Sequence, residues 1–275
     1  MDFSSRCASA SAYVKVWADR LGAVLNALHI VDAQALGYQG DDFSYKDRSD
    51  LIVRRTADLK YFSERYFGEM VVHQTVLSGS TADEIEDFAK NKDMNLIMLP
   101  REHQSVGSRL LRDSLTAAIL SRCTASVWTT EYLEAAPDPS VSNILCAVHS
   151  EGDVMLESQN SRILQKVQYL ASVFHAKITF LHVTKKEGSP SVFQAGGLFP
   201  SVDPWFAQVR EQWGDSAQFV EKSGDVLTII RDIAKQVGTD MIVVGRTRPG
   251  TIGLGVQGHI LEIDHVTRRP VLSVW

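Results

Sequence analysis

A chain of 275 residues is long for one average domain and comfortable for two of about 150 residues each. Its 44% hydrophobic and 22% charged residues, with only 18 glycines and 8 prolines, exclude the collagenous, low-complexity and disordered classes. A net charge of -5 supplies no bulk cationic field for phosphate backbones or anionic lipid, so neither nucleic acid nor a membrane surface is an expected partner.

From the amino end, Asp2 is followed by the apolar run Leu21 to Val31, which is broken by Asn26 and His29 and preceded by Lys15, Asp19 and Arg20. It is therefore neither a signal-peptide core nor a bilayer span, and a cytoplasmic protein is expected. Within it, Leu28-His29-Ile30-Val31 reads as a strand. Asp41, Asp42, Lys46, Asp47 and Arg48 are mixed in sign and read as an exposed loop. Ile85, Asp87, Ala89 and Lys90 lead to a second strand around Ile97 and to Arg101, and the half closes on the β-rich run Ala125 to Thr129. Residues 134–140 carry two prolines and no periodic apolar positions, which marks a linker between domains over 1–133 and 141–275.

The second half repeats the first. Leu28-His29-Ile30-Val31 returns as Leu181-His182-Val183-Thr184, and Ile85, Asp87, Ala89, Lys90, Ile97 and Arg101 return as Ile230, Asp232, Ala234, Lys235, Ile242 and Arg246. Its elements alternate: strand Asn143 to Val148, helix Val154 to His175, strand Lys177 to Val183, a variable stretch, strand Ala217 to Val220, helix Val226 to Val237, strand Met241 to Val244, helix Gly258 to Thr267 and strand Val271 to Trp275. In the first helix Ile163, Val167, Leu170, Ala171 and Phe174 fall on one face of a 3.6-residue period. Such alternation predicts an α/β fold, two tandem open parallel-sheet domains, with ligands beyond the carboxyl ends of the strands. The loops after Val148, Val183 and Val244 are the candidates in copy two, and Asp2, Val31 and Leu99 mark the matching points of copy one. The segment Gly188 to Pro204, with Phe193, Leu198 and Phe199, reads equally as a lid over an apolar pocket or as an unstructured excursion.

The chemistry-bearing residues are few. Cys7, Cys123 and Cys146 have no CxxC spacing, which argues against a disulfide framework or a zinc site and for a reducing compartment. His29 and His182 lie within strands and read as hydrogen-bonded structural residues; no metal site is expected. Gly253-Leu-Gly-Val-Gln-Gly258 matches G-x-G-x-x-G, but it neither follows a strand directly nor leaves room for the rest of a βαβ unit, so a dinucleotide site is not expected. No Walker lysine, nucleophile elbow or zinc-protease motif occurs, and the chain is expected not to be an enzyme. Arg246, Arg248 and His259, with a helix start at Gly258, form a candidate anion site; the alternative is a solvated loop whose arginines balance nearby acids.

Taken together, Asp2 ahead of Leu28-His29-Ile30-Val31, and Asp240-Met-Ile-Val-Val-Gly245 before a glycine loop, resemble the universal stress protein family over nearly the whole chain, in a tandem form. The resemblance implies a Rossmann-like domain with strand order 3-2-1-4-5. It also implies a phosphate loop, G-x2-G-x9-G-[ST], whose glycines let the backbone approach phosphates. In copy two Gly245 and Gly258 match, Arg248 and His259 replace the middle glycine and the Ser/Thr, and His149 stands where copy one keeps Asp2 for the nucleoside. In copy one Pro100, His103 and Asp113 replace all three glycines and only Ser114 matches. The candidate nucleotide or anion site of copy two is thus His149, Val183, Gly245, Arg246, Arg248, Gly258 and His259, and Asp2 with Ser114 is a degenerate remnant in copy one. Asn143 to Val148 supplies the central strand of copy two, whereas domain one lacks its counterpart, and a β-rich run ending just before Asp2 is expected upstream.

These residues lead us to expect a non-enzymatic, cytoplasmic stress-response binding or signalling module with degraded nucleotide sites. A weak ATP-binding or ATP-hydrolysing protein working through domain two, and a structural oligomerisation partner, remain open beside it. No cofactor is required, though ATP or another anionic ligand fits domain two. A small anionic or apolar ligand is the expected partner. Ala125 to Thr129 and Val271 to Trp275 are apolar edge strands, which predicts intramolecular pairing of the domains or a homo-oligomer.

Overall fold

The computed structural model describes residues 1–33, 36, 45–101, 114–131, 139–148, 154–184, 204–246 and 256–275. Two compact units divide the chain, Met1–Ser140 and Val141–Trp275. Each is an α/β assembly of parallel strands.

The first unit contains α1 (Ser5–Leu21), β1 (Leu25–Val31), α2 (Tyr45–Phe67), β2 (Val72–Ser78), α3 (Thr81–Asn91), β3 (Leu96–Pro100), α4 (Ser114–Arg122) and β4 (Ser126–Thr130). The Ser4 side chain accepts from the Cys7 N–H to start α1, and Gly22, in the left-handed region at φ 57°, ends it by returning its N–H to Ala18 and Asp19. Ala10, Tyr13 and Trp17 form the buried face of α1, with the Tyr13 ring 5.3 Å from that of Trp128 on β4. Leu59, Phe62 and Phe67 bury the inner face of α2. Lys46, Asp47 and Arg48, expected in a loop, lie in the first turn of α2. Asp47 there suits the positive end of the helix dipole, which mixed-sign charge alone does not reveal. β1 pairs with β2 and β3 pairs with β4; among the described residues no strand lies between β1 and β3.

The second unit contains β5 (Asn143–Val148), α5 (Val154–Phe174), β6 (Lys177–Thr184), α6 (Pro204–Trp213), a 3-10 turn (Gly214–Ser216), β7 (Gln218–Ser223), α7 (Val226–Gln236), β8 (Met241–Gly245), α8 (Val256–Thr267) and β9 (Val271–Val274). Its strands run in the order β9-β8-β5-β6-β7, so β5 is central, paired with β6 on one side and β8 on the other. Counted within the unit, this is the order 3-2-1-4-5. Ile144, Leu145 and Cys146 are at most 1% exposed, as a strand covered on both faces requires. Ile163, Val167, Leu170 and Phe174 are buried on α5, along the face that the periodicity predicts.

Three expectations are corrected here. The variable stretch contains α6, which buries Phe206 and Val209. β7 extends to Ser223 because it keeps register with β6 as far as Thr184. α8 begins at Val256, so Gly258 is its third residue and not its start. Among the described residues no helix is long and apolar enough to cross a membrane.

Candidate functional site

The central strand β5 and its neighbours β6 and β8 carry their carboxyl ends to one edge of the second unit. There the strand order reverses, the usual place for a ligand in an open α/β sheet. Val148, Thr184 and Gly245 are the last residues of those strands. The segments that follow them, with His149, Arg248 and the proposed lid ahead of Pro204, lie outside the described residues.

Val183, Gly245, Arg246, Gly258 and His259 are the candidates among the described residues. Val183 is 7% exposed and belongs to the core. Gly245 ends β8 opposite Val274. Arg246 is buried, contrary to the solvated-loop expectation. Its N–H donates to the Val274 carbonyl at 2.8 Å, and its guanidinium lies 5.8 Å from the Trp275 ring centroid. A guanidinium is weakly hydrated and stacks on aromatic faces, which favours this placement over a lysine-like excursion into water. His259 Nδ1 sits 2.9 Å from Glu262 Oε2, one turn further along α8. An anion approaching His259 therefore meets a carboxylate already in place.

In the first unit, Asp2 is engaged locally. Its Oδ1 accepts from the Ser4 N–H at 3.0 Å, the Ser4 hydroxyl at 2.6 Å and the Cys7 thiol at 3.0 Å, and its Oδ2 pairs with Arg6 at 2.7 Å. Partial burial pushes this carboxyl up, but the hydrogen bonds from Ser4, Cys7 and Arg6 outweigh it and hold Asp2 well below the usual carboxylate range. Ser114 is the first residue of α4, while His103 and Asp113 lie outside the described residues. Pro100 ends β3. The next residue, Arg101, donates its N–H to Thr130 at 2.8 Å and places Nη2 3.4 Å from Glu131 Oε1, both side chains being buried.

A cavity of about 550 Å³ opens between β1 and β3, lined among others by Met1, Leu28, His29, Ile97, Met98 and Thr116. His29 Nδ1 lies 2.5 Å from the Met1 carbonyl oxygen, which makes Nδ1 the donor. Burial pushes the His29 imidazole below its ordinary pKa, so the neutral form is favoured. At the far end of β1, Asp32 Oδ2 accepts from the Thr81 N–H at 3.1 Å and the Thr81 hydroxyl at 3.0 Å. Neither this bracket nor the Arg101–Glu131 pair is signalled in the sequence by any motif. The repetition of Arg101 as Arg246 is the one available cue.

The described residues contain little that points to catalysis. Burial raises the Cys7 and Cys146 thiols, which leaves them protonated and poorly nucleophilic. No group of three histidine, cysteine, aspartate or glutamate side chains among the described residues is placed to hold a metal ion.

Known proteins place the fold. No curated protein matches the chain. Among solved structures, a universal stress protein from Archaeoglobus fulgidus superposes with a TM-score of 0.70 at 14% identity, covering 100% of this chain and 93% of its own. A functionally unknown protein from Pseudomonas aeruginosa superposes with a TM-score of 0.62, also at 14% identity, covering 95% of this chain and 85% of its own. At that identity the likeness is one of fold. The family model described as the universal stress protein family matches residues 1–130. Over those residues, just under half of its length, the chain is similar to the universal stress protein family.

Proposed function

We propose that the chain is a non-enzymatic stress-response binding module, two universal stress-type domains in tandem, in which neither domain keeps a working ATP cradle. The family match supports the first domain. The repeated motifs and the β9-β8-β5-β6-β7 order support the second. The observation that carries the reading is the fate of the repeated arginines at the ends of β3 and β8. Arg101 is buried against Glu131 and Arg246 is buried over Trp275. A phosphate-binding arginine must meet its ligand from a position that water and ligand can reach, and both of these serve internal contacts instead. Pro100 adds to this in copy one, since it offers no N–H.

The test is thermal melting of the whole chain with ATP, ADP, AMP and inorganic phosphate. A ligand present at about 100 times its dissociation constant stabilises by about 2.7 kcal/mol, which shifts a domain of this size by roughly 5 to 15 °C. ATP at millimolar concentration is expected to move the midpoint by less than about 2 °C. A saturable ATP shift of the larger size refutes the reading.

One observation favours a second reading, weak anion binding through domain two. Gly245 stands without a side chain at the reversal point beside β5, where a backbone can approach a ligand closely. On that reading phosphate alone stabilises the protein, and Arg248→Ala removes the shift.

A further inference from the structure

We infer that the outer edge of β2 is a self-pairing surface, on which β2 of a second copy of this chain docks antiparallel about a twofold axis through Thr75. This surface is separate from the final strands Ala125 to Thr129 and Val271 to Trp275, where pairing was expected from the sequence.

The backbone fixes which groups are on offer. β2 pairs with β1 on one side, and among the described residues no strand lies on its other side. Gly79, one place beyond β2, donates its N–H to the Val31 carbonyl at 3.2 Å. In a parallel ladder alternate residues turn both backbone groups to the same neighbour, so His73, Thr75 and Leu77, in step with Gly79, face β1. Val72, Gln74, Val76 and Ser78 then hold their N–H and C=O groups toward the open side. β2 reads Val-His-Gln-Thr-Val-Leu-Ser, with no acid, lysine, arginine, proline or glycine. It has the composition of a good strand and none of the charges or breaks that guard an edge. Val71, just before it, is 80% exposed.

The second unit supplies the contrast, and the contrast identifies the occupant. β7 is the corresponding edge strand, and Gly224 donates to the Thr184 carbonyl at 3.1 Å, which by the same alternation turns Phe219, Glu221 and Ser223 outward. Antiparallel self-pairing of that full row centres on Glu221 and sets carboxylate against carboxylate, a destabilising arrangement. On β2 the full row pairs Val72 with Ser78 and Gln74 with Val76, each twice by symmetry. Thr75 meets Thr75 on the axis and His73 meets Leu77, so no like charges oppose one another. Val71 falls opposite Gly79 of the second copy, where there is no side chain to clash with it. A twofold contact of this kind is closed and self-complementary. Confined to one strand edge, it belongs with the small interfaces below about 1,200 Å², and a weak dimer with a dissociation constant of about 1 to 100 µM is expected.

The experiment follows the mass of the full chain by sedimentation from below about 1 µM to about 300 µM, a range that spans that constant. The parent chain is expected to pass from monomer to dimer. Thr75→Glu, which sets two carboxylates face to face, should weaken the dimer at least about tenfold. Gln74→Pro should do the same by deleting an outward N–H whose loss an edge strand tolerates. Should either variant melt lower than the parent when dilute, a cysteine comparison decides. In the paired register Thr75→Cys brings two thiols together across the axis, at Cα atoms about 4.5 Å apart and within disulfide reach, whereas His73→Cys faces Leu77. Under mild oxidation Thr75→Cys should cross-link two copies at least about tenfold faster than His73→Cys, with the parent, whose Cys7 is half-exposed, setting the background. A parent chain that stays monomeric throughout overturns the inference. A dimer that survives both substitutions overturns it as well, since the contact then lies on another surface, and so does equal cross-linking of the two cysteine variants.

Discussion

Arg101 and Arg246 show how one residue, repeated at equivalent strand ends, is accommodated in two ways. Arg101 meets the Glu131 carboxylate at 3.4 Å with both side chains buried, while Arg246 lies over the ring of Trp275. Removing one member of a buried ion pair strands the other, at about 3 to 5 kcal/mol. Glu131→Ala is therefore expected to destabilise the first unit by about that amount in urea unfolding, with Glu131→Gln milder because it keeps an acceptor. A loss below about 1 kcal/mol shows that water screens the pair. Asp2 has a readable pH signature. Its folded-state pKa is depressed, so its contribution is present above the ordinary carboxylate pKa of about 3.9 and is lost as pH falls below it. The acid limb of the stability profile should be shallower in Asp2→Asn than in the parent; parallel losses below about pH 4 assign the limb to other carboxylates.

Among the elements, β5 owes its start to a residue far away in sequence. Asp240 Oδ2, just before β8, accepts from the Ser142 and Asn143 N–H groups at 2.9 Å each, while the Asp240 N–H donates to the Asn143 carbonyl at 2.9 Å. This knot aligns the two strands whose register then continues from Ile144 with Met241 to Ala147 with Val244. Asp240→Ala is expected to cost about 1.5 to 3 kcal/mol, the range for hydrogen bonds to a charged group. Asp240→Asn should recover most of it, since one carbonyl oxygen accepts both bonds. Equal loss in the two variants places the effect elsewhere. Asp240 was visible in the sequence only as the opening of an Asp-Met-Ile-Val-Val-Gly run. The strands of the second unit were legible because continuous apolar runs between turns have few alternatives, and α5 because its apolar face repeats over several turns. α2 and α6 carry weaker local signals. The Leu59, Phe62 and Phe67 face of α2 follows a polar first turn, and α6 opens on Pro204, which reads as a turn residue although it is tolerated at a helix start. The site was less legible than the fold, because burial of Arg246 and the pairing of His259 with Glu262 depend on tertiary neighbours that no local pattern encodes.

The whole molecule combines two units built on the same motifs but with unequal interiors. In the second, five strands form a continuous parallel ladder whose central strand is covered on both faces. In the first, the ladders β1-β2 and β3-β4 flank a cavity, and the apolar residues of β3 are half-buried. Local opening costs little where buried apolar contacts are few and ladder edges are open, so the units should differ in stability. Hydrogen exchange of the intact chain is expected to protect β5, β6 and β8 most, with β1 and β3 exchanging roughly ten to a hundred times faster, which corresponds to about 1.4 to 2.8 kcal/mol of opening free energy. Urea should then unfold the chain in two steps, the Tyr13 and Trp128 region of the first unit changing before the Phe180 and Trp213 region of the second. Coincident unfolding of both units, with equal protection of β1 and β5, contradicts the expectation and makes the chain a single cooperative body.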